Sequence, residues 1–417
     1  MSAEADRSTI ADPSLAPAGR QAIAWASRNA PVLNGLLRKR LGDGSFDGVR
    51  VALVVHLEAK TAFLATVLAD AGARVVVAGS NPQSTRDDVA AGLVDMGIEV
   101  HSSRGSAYEQ WEKDLLSVAD TKPEYIIDDG AELTLRMAKH RPALFEELRG
   151  VSEETTTGVA RLHALHDAGR LPFPVMAAND AACKYMFDNR YGTGQSTVQA
   201  VLALTNFLMA GKRVAVIGYG WVGRGIANYV RALGGRAVVV EVDPIRSLDA
   251  FMEGHEVAPI ADAIADADLV ITATGGMRAV GSTHFGHLKP NAVLANAGHH
   301  DLEIDVAALH QESSGVRTVR EGVSCFDWRG GKQINVLAAG ALVNIAGGLG
   351  HPIEIMDLSF AVQGLSSHEL VVGDYAPGVH VLPRRLDEEI ARARLASEGV
   401  ILDSLADDQF DTMQEWI

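Results

Sequence analysis

The chain has 417 residues, 47% of them hydrophobic and 22% charged, and carries a net charge of −16 with only two cysteines, Cys183 and Cys325. That length exceeds a single core and predicts two domains, while the unbroken acidic excess excludes nucleic acid and an anionic membrane surface as expected partners. Two cysteines cannot build a disulfide framework, residues 1–20 lack the apolar run of a signal peptide, and residues 336–349, the most apolar stretch, are too short to span a membrane; a soluble cytoplasmic protein is expected.

In chain order, residues 1–15 read as a flexible tail. Residues 51–55 form an apolar strand, 59–71 a helix and 73–77 a second strand. Residues 98–101, 125–127 and Pro174–Ala177 read as further strands with helical patterns between them. Strictly alternating strand and helix predicts a parallel sheet covered on both faces. From about Thr193 the pattern restarts, with a helix over 196–209, a strand over 214–217, a glycine turn, an amphipathic helix, a strand over 238–240, and strands near Leu269–Thr272 and 292–295. The fold class is therefore α/β, with two doubly wound parallel-sheet domains in series and a cleft between them. Residues 385–417 read as helices.

The glycine turn is Gly218-Tyr219-Gly220-Trp221-Val222-Gly223. In such a turn one glycine makes the tight bend, one admits backbone close to a pyrophosphate, and one lets the helix pack on the strand. The helix N-terminus then faces the phosphates with free N–H groups. Glu241 closes the next strand, about 20 residues further on, where a carboxylate binds the ribose hydroxyls of NAD and repels the extra phosphate of NADP. Strand, turn, helix, strand and acid in this order predict a Rossmann NAD site.

Ionisable residues follow four separate strands. His56 follows the first, Asp128 and Asp129 the strand at 125–127, Asn179, Asp180 and Lys184 the strand at 174–177, and His299 and His300 the strand at 292–295. Ligands of open α/β sheets bind outside the carboxyl ends of the strands. Side chains delivered there from both domains predict a cleft with NAD on one wall and a substrate on the other.

These residues also carry a family resemblance. The chain closely resembles S-adenosylhomocysteine hydrolase over nearly its whole length, through HLEAKTAFL from His56, SNPQST at 80–85, IDDGAELT at 127–134, VSEETTTG at 151–158, NDAACKYMFDNRYG at 179–192, GKRVAVIGYGWVGRG at 211–225, NAGHHD at 296–301 and LVNIAGGLGHP at 342–352. The resemblance implies an NAD-assisted elimination on a nucleoside. Bound NAD takes hydride from the ribose 3′ carbon, the resulting ketone acidifies the C4′ proton, the C5′ substituent leaves, water adds, and the hydride returns. It implies that residues 1–191 and 352–384 form a substrate-binding and catalytic domain, that 192–351 form the NAD-binding domain, and that 385–417 are a C-terminal helical segment shorter than the family's. A homo-oligomer, dimer or tetramer, is implied with them, and no metal.

Carried over residue by residue, Lys184 and Asp188 match the pair at the 3′-hydroxyl, with Asn189 beside them; a lysine serves as base there if burial lowers its pKa. Asp129 matches the acid near C4′ and C5′. His56 and His299 match the histidines at the C5′ end. Glu154 matches the carboxylate on the ribose hydroxyls. His351 matches the histidine of the loop closing over the base, with Met356 and Phe360 as apolar lining. Thr155, Thr156, Thr157, Glu241, Thr274 and Asn344 match positions around NAD, together with Gly218, Gly220, Trp221, Val222 and Gly223 of the turn.

The departures lie elsewhere. Glu58 and Lys60, followed by Thr61, stand where the family carries threonine and then a glutamate or glutamine that accepts from the adenine amino group. Lysine has three donors and no acceptor, so it either donates to a 6-oxo group or pairs with Glu58. Glu58 also brings a new acid near the sugar. The sequence closes on QFDTMQEWI, without the Lys- and Tyr-bearing tail that the family extends to a neighbouring subunit's NAD. Trp221 replaces an acid in the glycine turn and Thr193 replaces a cysteine. An intact catalytic set beside an altered substrate-reading set favours an enzyme with changed specificity, such as an inosylhomocysteine hydrolase or a nucleoside-antibiotic dehydratase expelling water. An ordinary S-adenosylhomocysteine hydrolase and a catalytically silent NAD-binding regulator are the other two readings.

Overall fold

The computed structural model describes residues 7–404. Six strands arise in turn from the first half of the chain: β1 (Arg50–Val54), β2 (Arg74–Ala78), β3 (Glu99–Val100), β4 (Tyr125–Asp128), β5 (Gly150–Glu153) and β6 (Pro174–Ala177). A second series follows: β7 (Arg213–Ile217), β8 (Arg236–Val240), β9 (Glu256–Val257), β10 (Leu269–Thr272), β11 (Ala292–Asn296), β12 (Val316–Arg320), β13 (Val323–Trp328) and β14 (Lys332–Leu337). The chain then returns to the first sheet for β15 (Gly378–His380), so the first sheet runs β15-β6-β5-β4-β1-β2-β3 and the second β12-β13-β14-β11-β10-β7-β8-β9.

The central strands are runs of Val, Ile, Leu and Ala buried on both faces, the signature of a sheet covered by helices on each side. Register does the positioning. Val54 pairs with Asp128, Asp128 with Glu153, and Glu153 with Ala177. The residues just beyond that row (His56, Asp129, Glu154 and Asn179) therefore emerge side by side at one sheet edge.

The structure differs from the sequence reading in several places. Residues 7–15 are not a loose tail: Thr9 bridges His101, and its amide donates to the Val100 carbonyl at 2.8 Å, so this segment extends the exposed edge beside β3. The first sheet contains β5, which the sequence reading passed over as motif rather than strand. The two domains are not simply in series, because the helix Ile353–Val372 and β15 rejoin the first sheet. The second sheet is parallel from β9 to β14 but ends in an antiparallel extension, β14-β13-β12. The predicted helix over 196–209 spans Thr193–Thr205 and stops at Asn206, which takes a left-handed conformation. At the C-terminus one helix, Arg384–Ser397, is present; the closing QFDTMQEWI lies outside the described residues. No helix among the described residues is long and apolar enough to cross a membrane.

Candidate active site

One cleft of about 1340 Å³ is walled by both sheets' carboxyl edges. The residues matched to the substrate and NAD positions line it, apart from Gly223; of the ionisable residues read at the strand ends, Asp128, Asp180 and His300 do not, and Asp128 is instead buried, accepting from the Leu133 and Thr134 amides. Gly223 instead packs the helix Trp221–Ala232 onto its strand, where an added Cβ would meet the Gly218 carbonyl at 1.9 Å.

At the NAD-type turn, Gly218 has φ +97° and an added Cβ would lie 2.6 Å from the Ala273 carbonyl. Gly220 is different, since a Cβ there would meet nothing closer than Arg246 at 3.9 Å and would project into open cleft at the N-terminus of the helix Trp221–Ala232. This is the cradle a pyrophosphate requires. Glu241 accepts from the amides of Tyr219 and Val242, each at 2.7 Å, and of Asp243 at 3.0 Å. Burial pushes its carboxyl up, but these amides outweigh burial and hold it below the ordinary range. Across the cleft Asn344 donates to Ser196 Oγ at 3.0 Å while its buried Oδ1 has no partner, so an amide acceptor is left pointing for a ligand donor. Trp221 meets Tyr185 at a tilt of 39°, ring centroids 5.3 Å apart. Thr274 and Gly275 are tied down by Glu303, which accepts from the Thr274 hydroxyl at 2.9 Å and the Gly275 amide at 2.7 Å. Thr155 caps the helix Thr156–Asp167 by accepting from Gly158 N at 2.9 Å. Thr156 donates to Asn179 Oδ1 at 3.2 Å, and Thr157 follows it along the cleft wall.

The second wall has two clusters. In the first, Lys184 Nζ donates to Asp188 Oδ1 at 3.0 Å and Asn189 Oδ1 at 2.8 Å, and lies 3.3 Å from Glu154 Oε1. Asp188 Oδ2 accepts from Ser359 at 2.8 Å and faces His351 Nδ1 at 3.4 Å. Burial pushes Lys184 down, yet Asp188 and Glu154 outweigh it and raise its pKa above the ordinary lysine value. The lowered pKa expected for a lysine base is thus not found: the two carboxylates hold an ammonium. Burial pushes the Glu154 carboxyl up to about 7, with Lys184 opposing, so Glu154 is the member of the cluster that titrates near neutrality.

In the second cluster, Asp129 lies 3.5 Å from His56 Nε2 and 3.7 Å from His299 Nδ1, and accepts from Ser80 at 2.9 Å. Burial pushes both imidazoles below the ordinary histidine range, with Asp129 opposing. Neutral imidazoles beside a carboxylate are suited to accepting and returning protons at neutral pH. Their ligand atoms and that of Asp129 lie within 4.8 Å of one another, close enough to hold one cation. Thr61 donates to the His56 carbonyl at 2.6 Å and so fixes the turn bearing that histidine.

At the far end Lys60, 8% exposed, pairs with Glu58 at 2.9 Å and donates to the Leu349 carbonyl at 3.1 Å. Glu58 serves through Oε2 as Lys60's counter-ion and as N-cap of the helix Ala59–Asp70, and it lines the cleft. Thr193 bonds His351 Nε2 at 3.1 Å, so this substituted position anchors the closing loop. Met356 and Phe360 line the same cleft. Ser80, Glu303, Ser359 and Gln363 were not found from sequence; Ser359 and Gln363 lie four apart, on one face of a helix that carries several other polar residues, so nothing local marks them.

Comparison with known proteins finds relatives over nearly the whole chain. The family model described as S-adenosyl-L-homocysteine hydrolase matches residues 7–142, and the one for the NAD binding domain of the same family matches residues 189–350. The chain is 44% identical over 411 residues to an S-inosyl-L-homocysteine hydrolase of Methanopyrus kandleri, covering 98% of this chain and 97% of that one. It is 45% identical to the adenosylhomocysteinase of Thermococcus kodakarensis, covering 98% and 97%, and 45% identical to that of Thermotoga maritima, covering 95% and 99%.

Proposed function

The chain belongs to the S-adenosyl-L-homocysteine hydrolase family, an NAD-dependent family of hydrolases, and from that premise we propose that it eliminates the 5′ substituent of a nucleoside whose base presents a hydrogen-bond acceptor, with an inosyl-type 6-oxo purine bearing homocysteine as the substrate that fits. The observation carrying this reading is Lys60. Its ammonium is buried in the cleft beside the Leu349–Gly350 backbone, with two of its three donors directed to Glu58 and the Leu349 carbonyl. The remaining donor suits an oxo group and has nothing to offer an amino group. A buried donor left unpaired is a strong rejector of the wrong ligand.

Gly218, Gly220 and Glu241 would hold NAD, which would supply a reversible hydride acceptor for the ribose 3′ carbon. The cluster of Lys184, Glu154, Asp188 and Asn189 binds the ribose hydroxyls. Lys184, as an ammonium, stabilises the oxygen that loses its proton, and Glu154, titrating near neutrality, takes that proton up. Asp129, His56 and His299 then handle the C4′ proton and the leaving group. The closing loop at Leu349–His351 excludes water until the 5′ group has left. In this division residues 1–191 with 352–384 hold the nucleoside and 192–351 hold NAD, while the helix Arg384–Ser397 packs on the first domain through Asp387, which accepts from the Ala182 and Cys183 amides. The working form is a homo-oligomer in the cytoplasm. Supporting the first is an exposed apolar face of Val242, Ile245, Leu248, Phe251 and Met252; supporting the second are two buried free cysteines.

A specific observation also supports the ordinary reaction on S-adenosylhomocysteine: two relatives at 45% identity bear that activity's name. Purified protein loaded with NAD is to be mixed with S-inosylhomocysteine, S-adenosylhomocysteine and sugar-modified adenosines. Homocysteine release at least tenfold faster from the inosyl substrate supports the proposal. Preference for the adenosyl substrate overturns it in favour of the ordinary hydrolase, and an alkene formed without homocysteine identifies a dehydratase.

A further inference from the structure

The helix Ile353–Val372 begins directly after the closing loop and is buried along most of its length. An apolar helix would suffice for packing, yet two of its fully buried residues are polar and reach the Lys184 cluster. Ser359 donates to Asp188, as described. Gln363 sits one turn further on. The Ser152 hydroxyl donates to Gln363 Oε1, and Gln363 Nε2 lies 2.5 Å from Glu154 Oε2. Ser152 and Glu154 are two residues apart at the end of β5, on one face of the strand. Serine thus orients the amide, and the amide presents its N–H to the carboxylate. The opposite oxygen, Glu154 Oε1, faces Lys184.

We propose that Gln363, oriented by Ser152, is a positioning residue that keeps Glu154 as a hydrogen-bond acceptor facing Lys184, and so links the helix behind the closing loop to proton transfer at the 3′-hydroxyl. This inference rests on the reading of that cluster given above. Glutamine cannot ionise, so it donates to Glu154 at every pH. A donated N–H stabilises the carboxylate over the carboxylic acid, and bonds of this charge-assisted kind are the stronger ones. The charged groups facing Glu154 are Lys184, which also favours the carboxylate, and Asp188 and Asp129, which oppose it. Asp188 is itself neutralised by Lys184, with Ser359 and His351 against its other oxygen. Gln363 is the remaining neutral donor to Glu154, and its removal leaves the two repelling carboxylates less opposed.

The test is the pair of substitutions Gln363→Met with Ser152→Ala, which keeps volume and leaves no orphaned hydroxyl, in the NAD-loaded full chain. Titration of Glu154 is followed by infrared difference spectroscopy, with Glu154→Gln identifying its band. The midpoint is expected to rise by about one pH unit, the size of one charge-assisted bond. Gln363→Glu should raise it further. In single-turnover reduction of bound NAD, the acid limb of the pH profile should move up by the same amount, with about a tenfold loss below the limb and recovery above it. An unmoved midpoint, or one that falls because the amide presents its oxygen instead, overturns the proposal. So does a uniform loss of rate at all pH, which marks a packing role alone. If no nucleoside reduces the NAD of the unsubstituted protein, the functional reading fails, and the infrared midpoint still decides the role of Gln363.

Discussion

Two buried lysines bound the cleft, and they are built differently. Lys184 is enclosed by Asp188, Glu154 and Asn189, each held in turn by Ser359, Gln363 or Asn179. Lys60 has one carboxylate, Glu58, and one backbone carbonyl on a loop. A charge surrounded by a second layer of partners is fixed in position and protonation state, as chemistry requires. A charge with a donor to spare next to a loop reads a ligand instead. The contrast separates the part of the site that performs the reaction from the part that selects what reacts.

The sharpest way to break this comparison is to delete each lysine. Lys184→Met should slow single-turnover reduction of bound NAD by about 10³-fold or more, whereas Lys60→Met should leave that step within about tenfold for whichever substrate binds. Equal losses would merge the two roles. Next in size, Lys60→Gln introduces an acceptor and should shift the ratio of kcat/KM between 6-oxo and 6-amino nucleosides by on the order of 10²-fold toward the amino compound. Lys184→Arg should not move that ratio. A third test uses pH. Because burial lifts Glu154 to about 7, its carboxylate is lost as pH falls through that value and Lys184 loses one counter-ion. The rate of NAD reduction should therefore fall below about pH 7, and this limb should be unchanged in Lys60→Gln. The same raised value means that ionising Glu154 opposes folding: its carboxylic acid form is favoured, so this contribution to stability is complete below the ordinary glutamate value and is lost as pH rises through about 7. The smallest expected effect is Glu58→Gln. It leaves Lys60 with weaker partners at a site open on one side and should cost about 1–2 kcal/mol in urea unfolding.

The NAD half of the site was legible because its instructions are local. Gly218, Gly220 and Glu241 act through a turn, a helix end and a strand end that lie within one βαβ unit. The ionisable residues after β1, β4, β6 and β11 were legible for a similar reason, since a polar residue directly after an apolar strand marks the sheet's carboxyl edge. Less was readable where partners come from distant segments. Gln363 lies 209 residues from the glutamate it holds, and β15 joins β6 across two hundred residues of intervening chain. No periodicity announces either pairing. The antiparallel strand β12 was passed over because Val316–Arg320 is exposed throughout and offers no buried face to read; β13, which buries Val323, Cys325 and Phe326, was passed over without that excuse.

What the sequence determined by itself is the α/β class, the NAD turn and the identity of the groups at the sheet edges, because each depends on residues close together in the chain. What only the tertiary structure decided is the protonation state of those groups. Lys184 reads from sequence as a base and is held as an ammonium, since Asp188 one turn along its own helical segment and Glu154 just after β5 fix its charge, and both carboxylates are themselves set by a helix far along the chain. Lys60 and Glu58 were visible as a departure, but that they pair with each other at 2.9 Å, while Lys60 also donates to the Leu349 carbonyl, is a fact only folding provides. Electrostatic environment is a property of burial and distance, and neither is written in local sequence.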